Sequence, residues 1–271
     1  MKGFRKMLRR RCLWAILAVL APALSLGMVV AAGPFNEFEA KAVKSDLDKS
    51  NVWVLDFRFK APRLIKVDIP GRGTRICWYL WYQVINNTGE PRTFIPDFEL
   101  VTQDTDNPAI YHDEVLPKVQ DAINKIENPT NADYLMAKNS VTISSTPIPV
   151  SKPDAYPIAV TGVAIWDGTA ADVKKRNGKK KDLADSNRFS IFVSGLSNGW
   201  VLTDPPANKR DELPVVRRKT LRLDFKRRGD RFLLDSRDIS FQPPAEWIYR
   251  ASTLRLPKDE AKEDGDKKKE E

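Results

Sequence analysis

His112 is the only histidine among 271 residues. A zinc site built from several imidazoles is therefore excluded, and Ser-His-Asp or Cys-His nucleophilic machinery would have to use this one ring. Its position beside Asp113, where a helical pattern begins, predicts a surface or capping residue. Asp97 and Glu99 alternate onto one strand face and could act as paired carboxylates in glycoside hydrolysis; a solvated strand face accounts for them as well. Asp104, Asp106 and Asn107, with Asp113 and Glu114, offer oxygens to Ca²⁺, but the glycine and downstream spacing of a calcium loop are missing. A solvated acidic loop is expected there. Cys77, in an aromatic strand, reads as a buried inert thiol rather than a nucleophile. No G-x-S-x-G, P-loop, H-E-x-x-H or G-x-G-x-x-G pattern occurs. No catalytic residue, cofactor or metal is expected from these residues.

Basic residues offer a second chemistry. Lys174, Lys175, Arg176, Lys179, Lys180 and Lys181 fall in one stretch, KKRNGKKK, which must be an exposed loop because six positive charges cannot be buried unpaired. Arg222, Lys226, Arg227 and Arg228, with Arg217, Arg218, Lys219 and Arg231 nearby, lie in a later strand region. There Arg222 and Lys226 point opposite to Leu221, Leu223 and Phe225. The loop and the strand together are the candidate surface for an anionic envelope polymer or lipid head groups, against the plainer reading of a solvated polar face. Arg228-Gly229-Asp230 spells an adhesion tripeptide, and it is also what a tight hairpin demands. Asn86-Asn87-Thr88 forms a glycosylation sequon that its place in a turn explains without modification.

Aromatic residues offer a third. In ICWYLWYQVIN one face carries Ile76, Trp78, Leu80, Tyr82 and Val84, the other Cys77, Tyr79, Trp81, Gln83 and Ile85. Tyr79 and Trp81 are the candidate ligand-stacking pair. A stacking platform would show polar residues on its opposite face, whereas this strand is apolar on both. It therefore reads as a central strand covered on both sides, with a helix or loop over its outer face.

The elements that must position these groups are mostly strands. VWVLDFRF alternates, with Trp53, Leu55, Phe57 and Phe59 on one face. RLIKVDI and the aromatic strand flank a Pro70-Gly71-Arg72-Gly73 turn. RTFIPDFELVTQ follows as a strand bent or placed at an edge by Pro96. In HDEVLPKVQDAINKIENP, Val115, Leu116, Val119, Ala122, Ile123 and Ile126 recur at helical spacing, Asp113 and Glu114 favour the start, and Pro129 stops the helix. SVTISSTPIPVSKPDAYPIAVTGVAIWD reads as extended, with a strand near 158–166. NRFSIFVSGL is another strand, and KTLRLDF with RFLLDSRDISF reads as a hairpin about residues 228–230. The spacing predicts a mostly β, antiparallel, immunoglobulin-like β-sandwich with one inserted α-helix.

Composition is compatible with a packed core, at 42% hydrophobic and 9% aromatic. The formal charge of +9 is concentrated at the N-terminus, since without Lys2, Arg5, Lys6, Arg9, Arg10 and Arg11 the chain has 39 bases against 36 acids. These six precede an uncharged run, Leu13 to Ala32, and small residues Val30-Ala31-Ala32. Residues 1–32 therefore read as a signal peptide cleaved after Ala32, or else an N-terminal membrane anchor. Cleavage removes Cys12, and Cys77 alone cannot form an internal disulfide. Residues 33–50 read as a spacer or short helix, 51–255 as the sandwich domain, and 256–271 as a disordered charged tail.

WYQVINNTGEPRTFIPDFELVTQD, DEVLPKVQDAINKIENP, VTGVAIWD and NRFSIFVSGLSNGW resemble a group of exported bacterial proteins of uncharacterised activity that carry an immunoglobulin-like β-sandwich domain. The likeness covers about residues 75–250. The resemblance implies export and a fold type, and supplies no catalytic residues. The chain is thus expected to be an exported, periplasmic, cell-envelope or extracellular protein, non-catalytic, that binds or scaffolds an envelope protein or anionic polymer. Nucleic acid is not an expected partner, and membrane contact is expected only if the N-terminal segment stays uncleaved. The alternative is a carbohydrate-binding module using Trp78, Trp81, Trp166 and Trp247, and a carboxylate-dependent hydrolase stands further behind.

Overall fold

The structure, a computed structural model, describes residues 37–104, 108–152, 155–168, 183, 186–203, 214–228 and 238–251. Its strands are β1 (Glu37–Ala40), β2 (Asp56–Lys60), β3 (Arg63–Ile69), β4 (Gly73–Ile85), β5 (Asp97–Thr102) and β6 (Ile110–His112). They continue with β7 (Ala159–Asp167), β8 (Arg188–Ser194), β9 (Trp200–Thr203), β10 (Val215–Arg227) and β11 (Ile239–Ala251). Two α-helices, α1 (Pro117–Glu127) and α2 (Ser140–Ser144), with a short 3-10 helix Asp133–Leu135 between them, lie between β6 and β7. Among the described residues no helix is long and apolar enough to cross a membrane.

Two antiparallel sheets form. In the first, β3 and then β2 fill one edge of β4, β7 fills the other, and β1 adds outside β2. Pro62, which has no N–H for the ladder, sits where β2 gives way to β3. The second sheet runs β11-β10-β8-β5-β6, with β9 paired to β10 beyond the end of β8. The core between the sheets joins Phe57, Trp78 and Tyr82 to Phe98, Phe189 and Phe225. Trp78 meets Phe189 edge-on at 5.2 Å, and Phe57 stacks on Tyr82 at 5.2 Å. A second core lies on the other face of β4, where Cys77, Tyr79 and Trp81 pack with Val119 and Ile123 of α1. The strand apolar on both faces is therefore covered on both, one face by the opposing sheet and the other by the helix.

Several elements differ from the sequence reading. Residues 37–40, read as spacer, pair with β2 as β1, and Ala40 is buried. Pro96 neither bends β5 nor puts it at an edge. The strand starts at the next residue and lies between β8 and β6, so the missing N–H falls outside the ladder. Helix α1 begins at Pro117, whose fixed φ suits a first turn, so Asp113 and Glu114 precede it and Ile126 is exposed. Its buried stripe is Val119, Ile123 and Glu127.

Ser140–Ser144, read as extended, is helical because Asn139 accepts hydrogen bonds from the Val141 and Thr142 N–H groups and donates its own N–H to the Thr142 hydroxyl. Strand β10 pairs Arg227 with Ile239, so the chain reversal spans more than a tight turn at Arg228-Gly229-Asp230. Residues 229–237 lie outside the described residues. Strand β11 runs on to Ala251, with Pro243 and Pro244 at an irregularity opposite Arg222–Asp224 on an edge strand.

Gly162 shows how tightly β7 packs on β4. A Cβ there would lie 2.5 Å from the Tyr82 hydroxyl oxygen. Gly162→Ala is expected to cost about 1–3 kcal/mol through overpacking. Thermal unfolding checks this, and an unchanged midpoint would show that the Tyr82 ring has room to move.

Candidate functional site

Helix α1 covers the outer face of the first sheet, whereas among the described residues no helix lies over the outer face of the second. Alternation sends Phe98, Leu100, Ile191, Leu221, Leu223 and Phe225 inward and their neighbours out. Register then places His112, Glu99, Phe192, Arg222 and Glu246 in one row across five strands. Asp97, Ser194, Thr220 and Ile248 form the row beside it.

At the β5–β6 end of this face the ligand atoms of Asp97, Glu99 and His112 lie within 4.8 Å of one another. His112 Nδ1 is 3.8 Å from Asp97 Oδ1, beyond hydrogen-bond length, and this buried nitrogen has no hydrogen-bond partner. The Glu99 side chain is 2% exposed and pairs with Arg250, which crosses from β11 with its guanidinium 4.1 Å over the Phe192 ring. Burial pushes the Asp97 carboxyl above its ordinary value, the Glu99 charge adds to this, and His112 and Arg250 oppose it. Burial likewise raises Asp113, against a hydrogen bond from the Ser140 hydroxyl. One imidazole and two carboxylates in this geometry can hold a divalent cation or share a proton.

The sequence pairs Asp97 with Glu99 but reads His112 as a surface or capping residue at a helix start. It instead ends β6, directly opposite Glu99. The signal was available only through the register of β5 against β6. The two carboxylates stand side by side on one strand rather than across a groove from each other.

The other acidic candidates disperse. Asp104 accepts from the Ser186 hydroxyl and from the Asn187 and Arg188 N–H groups, fastening the start of β8. Asp113 is held by Ser140, and Glu114 pairs with Arg72 at 2.8 Å. Asp106 and Asn107 lie outside the described residues. The Cys77 thiol is buried, and burial pushes its pKa up to about 12, with help from Asp167 and Glu114. Asn86, the sequon asparagine, is also buried and donates to the Glu90 and Ile148 carbonyls.

Of the basic candidates, Lys174, Lys175, Arg176, Lys179, Lys180 and Lys181 lie outside the described residues. Arg222 is on the open face but is held by Asp224 at 2.9 Å and Glu246 at 3.3 Å. Arg227 is a correction. It is 2% exposed, with its guanidinium 5.4 Å over Trp78, because the alternation that buries Leu223 and Phe225 turns it inward too. Lys219 shares that parity and is buried against Asp48 and the Val43 carbonyl. Lys226 and Arg228 are exposed.

Tyr79 and Trp81 are no stacking platform. Both are buried beside α1, Tyr79 donates to Glu127 at 2.9 Å, and Glu127 in turn bonds Arg63 and Lys60. The depression beside Trp81 measures about 10 Å³, room for roughly one water. Trp78 and Trp166 are also fully buried, and Trp247 is partly buried with its indole N–H on the Lys41 carbonyl. Of the four tryptophans named for carbohydrate stacking, Trp78, Trp81 and Trp166 are thus buried, and Trp247 is partly buried.

Fold and site together define a mostly β protein of two antiparallel sheets, one roofed by a helix and one over whose outer face no helix lies among the described residues. Compared with protein-family models, with curated proteins and with solved structures, the chain matches none.

Proposed function

We propose that this is a non-catalytic, exported, envelope-associated domain of immunoglobulin-like type, whose open sheet face binds an anionic polymer. The observation that carries the reading is a pair of like charges. Arg188 on β8 and Lys226 on β10 stand directly opposite each other, both exposed, with no ion-pair partner among the described residues. Like charges directly opposed across strands destabilise a sheet, and a polyanion laid over them removes that repulsion. Arg228 adds a third exposed base at the same end of β10. In the sequence, the Lys174–Lys181 stretch ends seven residues before Arg188. Arg222 and Arg250, farther along the same face, are paired with acids and give no such attraction. Export is supported by the basic and then apolar N-terminal pattern, and contact with an envelope protein would use the same face.

The test is binding of the full chain to immobilised polyphosphate, beside anionic vesicles and a neutral glucan. Binding to polyphosphate that weakens with added salt, and falls about tenfold or more in an R188E/K226E variant, is the expected result. Equal binding by the variant, or binding only to the neutral glucan, would overturn the reading.

A further inference from the structure

The structure assigns a second ligand to the open face: a divalent transition-metal ion held by His112, Asp97 and Glu99. The site goes beyond polymer binding and does not depend on it, since its residues lie on β5 and β6. The argument starts from the imidazole. A buried ring nitrogen without a hydrogen-bond partner is destabilising unless something else satisfies it. His112 Nδ1 is such an atom, and the nearest charged oxygen, Asp97 Oδ1 at 3.8 Å, is too far to accept a proton from it. The ligand atoms of all three side chains lie within 4.8 Å of one another. Around a tetrahedral zinc with bonds of about 2.0–2.1 Å, ligand atoms are separated by roughly 3.3 Å, so small rotamer adjustments close this set on an ion.

Chemistry narrows the ion. One nitrogen and two carboxylates suit Zn²⁺ or a neighbouring first-row ion better than Ca²⁺, which takes six to eight oxygens. Arg250 bonds Glu99 Oε2 and so fixes that carboxylate's orientation, as an outer partner does for a ligating group. Two carboxylates against one guanidinium leave the cluster with a net negative charge when His112 is neutral, which attracts a cation. With the ion bound the sign inverts, and a coordination position left by three protein ligands suits water or an anion.

A single histidine makes the test direct, because the full chain labelled at histidine gives one imidazole signal. Zn²⁺ is the probe. At one equivalent it is expected to shift that signal, and calorimetry is expected to give one ion per chain. H112Q and D97N should each lower the affinity at least about tenfold, while E246Q, on the same face but outside the cluster, should not. Thermal unfolding of each variant without metal shows whether it is folded, and Zn²⁺ should raise the midpoints of the parent chain and of E246Q but those of H112Q and D97N much less. An imidazole signal unmoved by excess Zn²⁺, or Zn²⁺ binding that H112Q leaves unchanged, would overturn the assignment. Failure of polyphosphate binding would leave it intact.

Discussion

Trp81→Ala is expected to destabilise the protein by about 3–5 kcal/mol, the range for deleting a buried indole from a core. Trp81 is 4% exposed and sits directly opposite Val163 on β7, in the layer between β4 and helix α1. Removing it leaves a cavity bounded on one side by a sheet that cannot collapse, since the opposite face of β4 is packed against the second sheet. The helix must then sink or detach. Its other contacts with β4, made through Val119 and Ile123, depend on the same layer. Chemical denaturation of the variant against the parent measures the loss, and Trp81→Phe should recover more than half of it by refilling the space. A variant that unfolds like the parent yet loses affinity for a sugar would return Trp81 to the role of a stacking platform.

Lys219→Ala is expected to cost a similar amount, about 3–5 kcal/mol, by breaking a buried ion pair from one side. The Lys219 side chain is fully buried and donates to the Asp48 carboxylate and the Val43 carbonyl. Asp48 also accepts from the Tyr249 hydroxyl at 2.6 Å. This cluster fastens the segment between β1 and β2 to β10 and β11, and Trp247 adds a bond to the Lys41 carbonyl at 2.9 Å. In the variant the Asp48 carboxylate loses its cation, and residues 43–49 should gain hydrogen exchange and be cut by trypsin after Lys44 or Lys49. An unchanged exchange pattern would show that the segment is held by other contacts.

The pH dependence of this pair has a definite sign. Burial would raise the Asp48 carboxyl, but hydrogen bonds from Lys219, Tyr249 and the Ser45 N–H outweigh it and leave the folded value below the ordinary one. A carboxyl lowered by folding stabilises the protein above its unfolded pKa, and that contribution is lost as pH falls through the folded value. The stability gap between parent and Lys219→Ala should therefore be full at neutral pH and narrow below about pH 4. A gap that stays constant down to the acid transition would exclude ionised Asp48 as its source.

Much of the fold was legible because alternation is a local signal. The twofold pattern of β4 gave both of its faces, and the covering helix over one of them followed from the absence of a polar face. The same parity, carried two residues beyond each end of the apolar run Leu221, Leu223 and Phe225 of β10, turns Arg227 and Lys219 inward. They were read as surface because a base in a basic cluster outweighs its neighbours' period when each position is judged alone. The short helix at Ser140 was hidden by prolines downstream, although Asn139 and Thr142 already carried its cap.

By itself, then, the sequence determined which residues are apolar in strand or helix period, where proline and glycine interrupt them, and that several imidazoles could not share a site. These depend on residues close together in the chain. Tertiary structure alone decided which strand lies beside which. It brought Glu127 onto Lys60 and Arg63, Asp48 onto Lys219, and Arg250 across two strands onto Glu99. It also set His112 opposite Glu99. Such pairings join residues as far as 206 positions apart, as Trp247 and Lys41 show. Register is fixed by the packing of whole faces against each other, so no local stretch of sequence contains them.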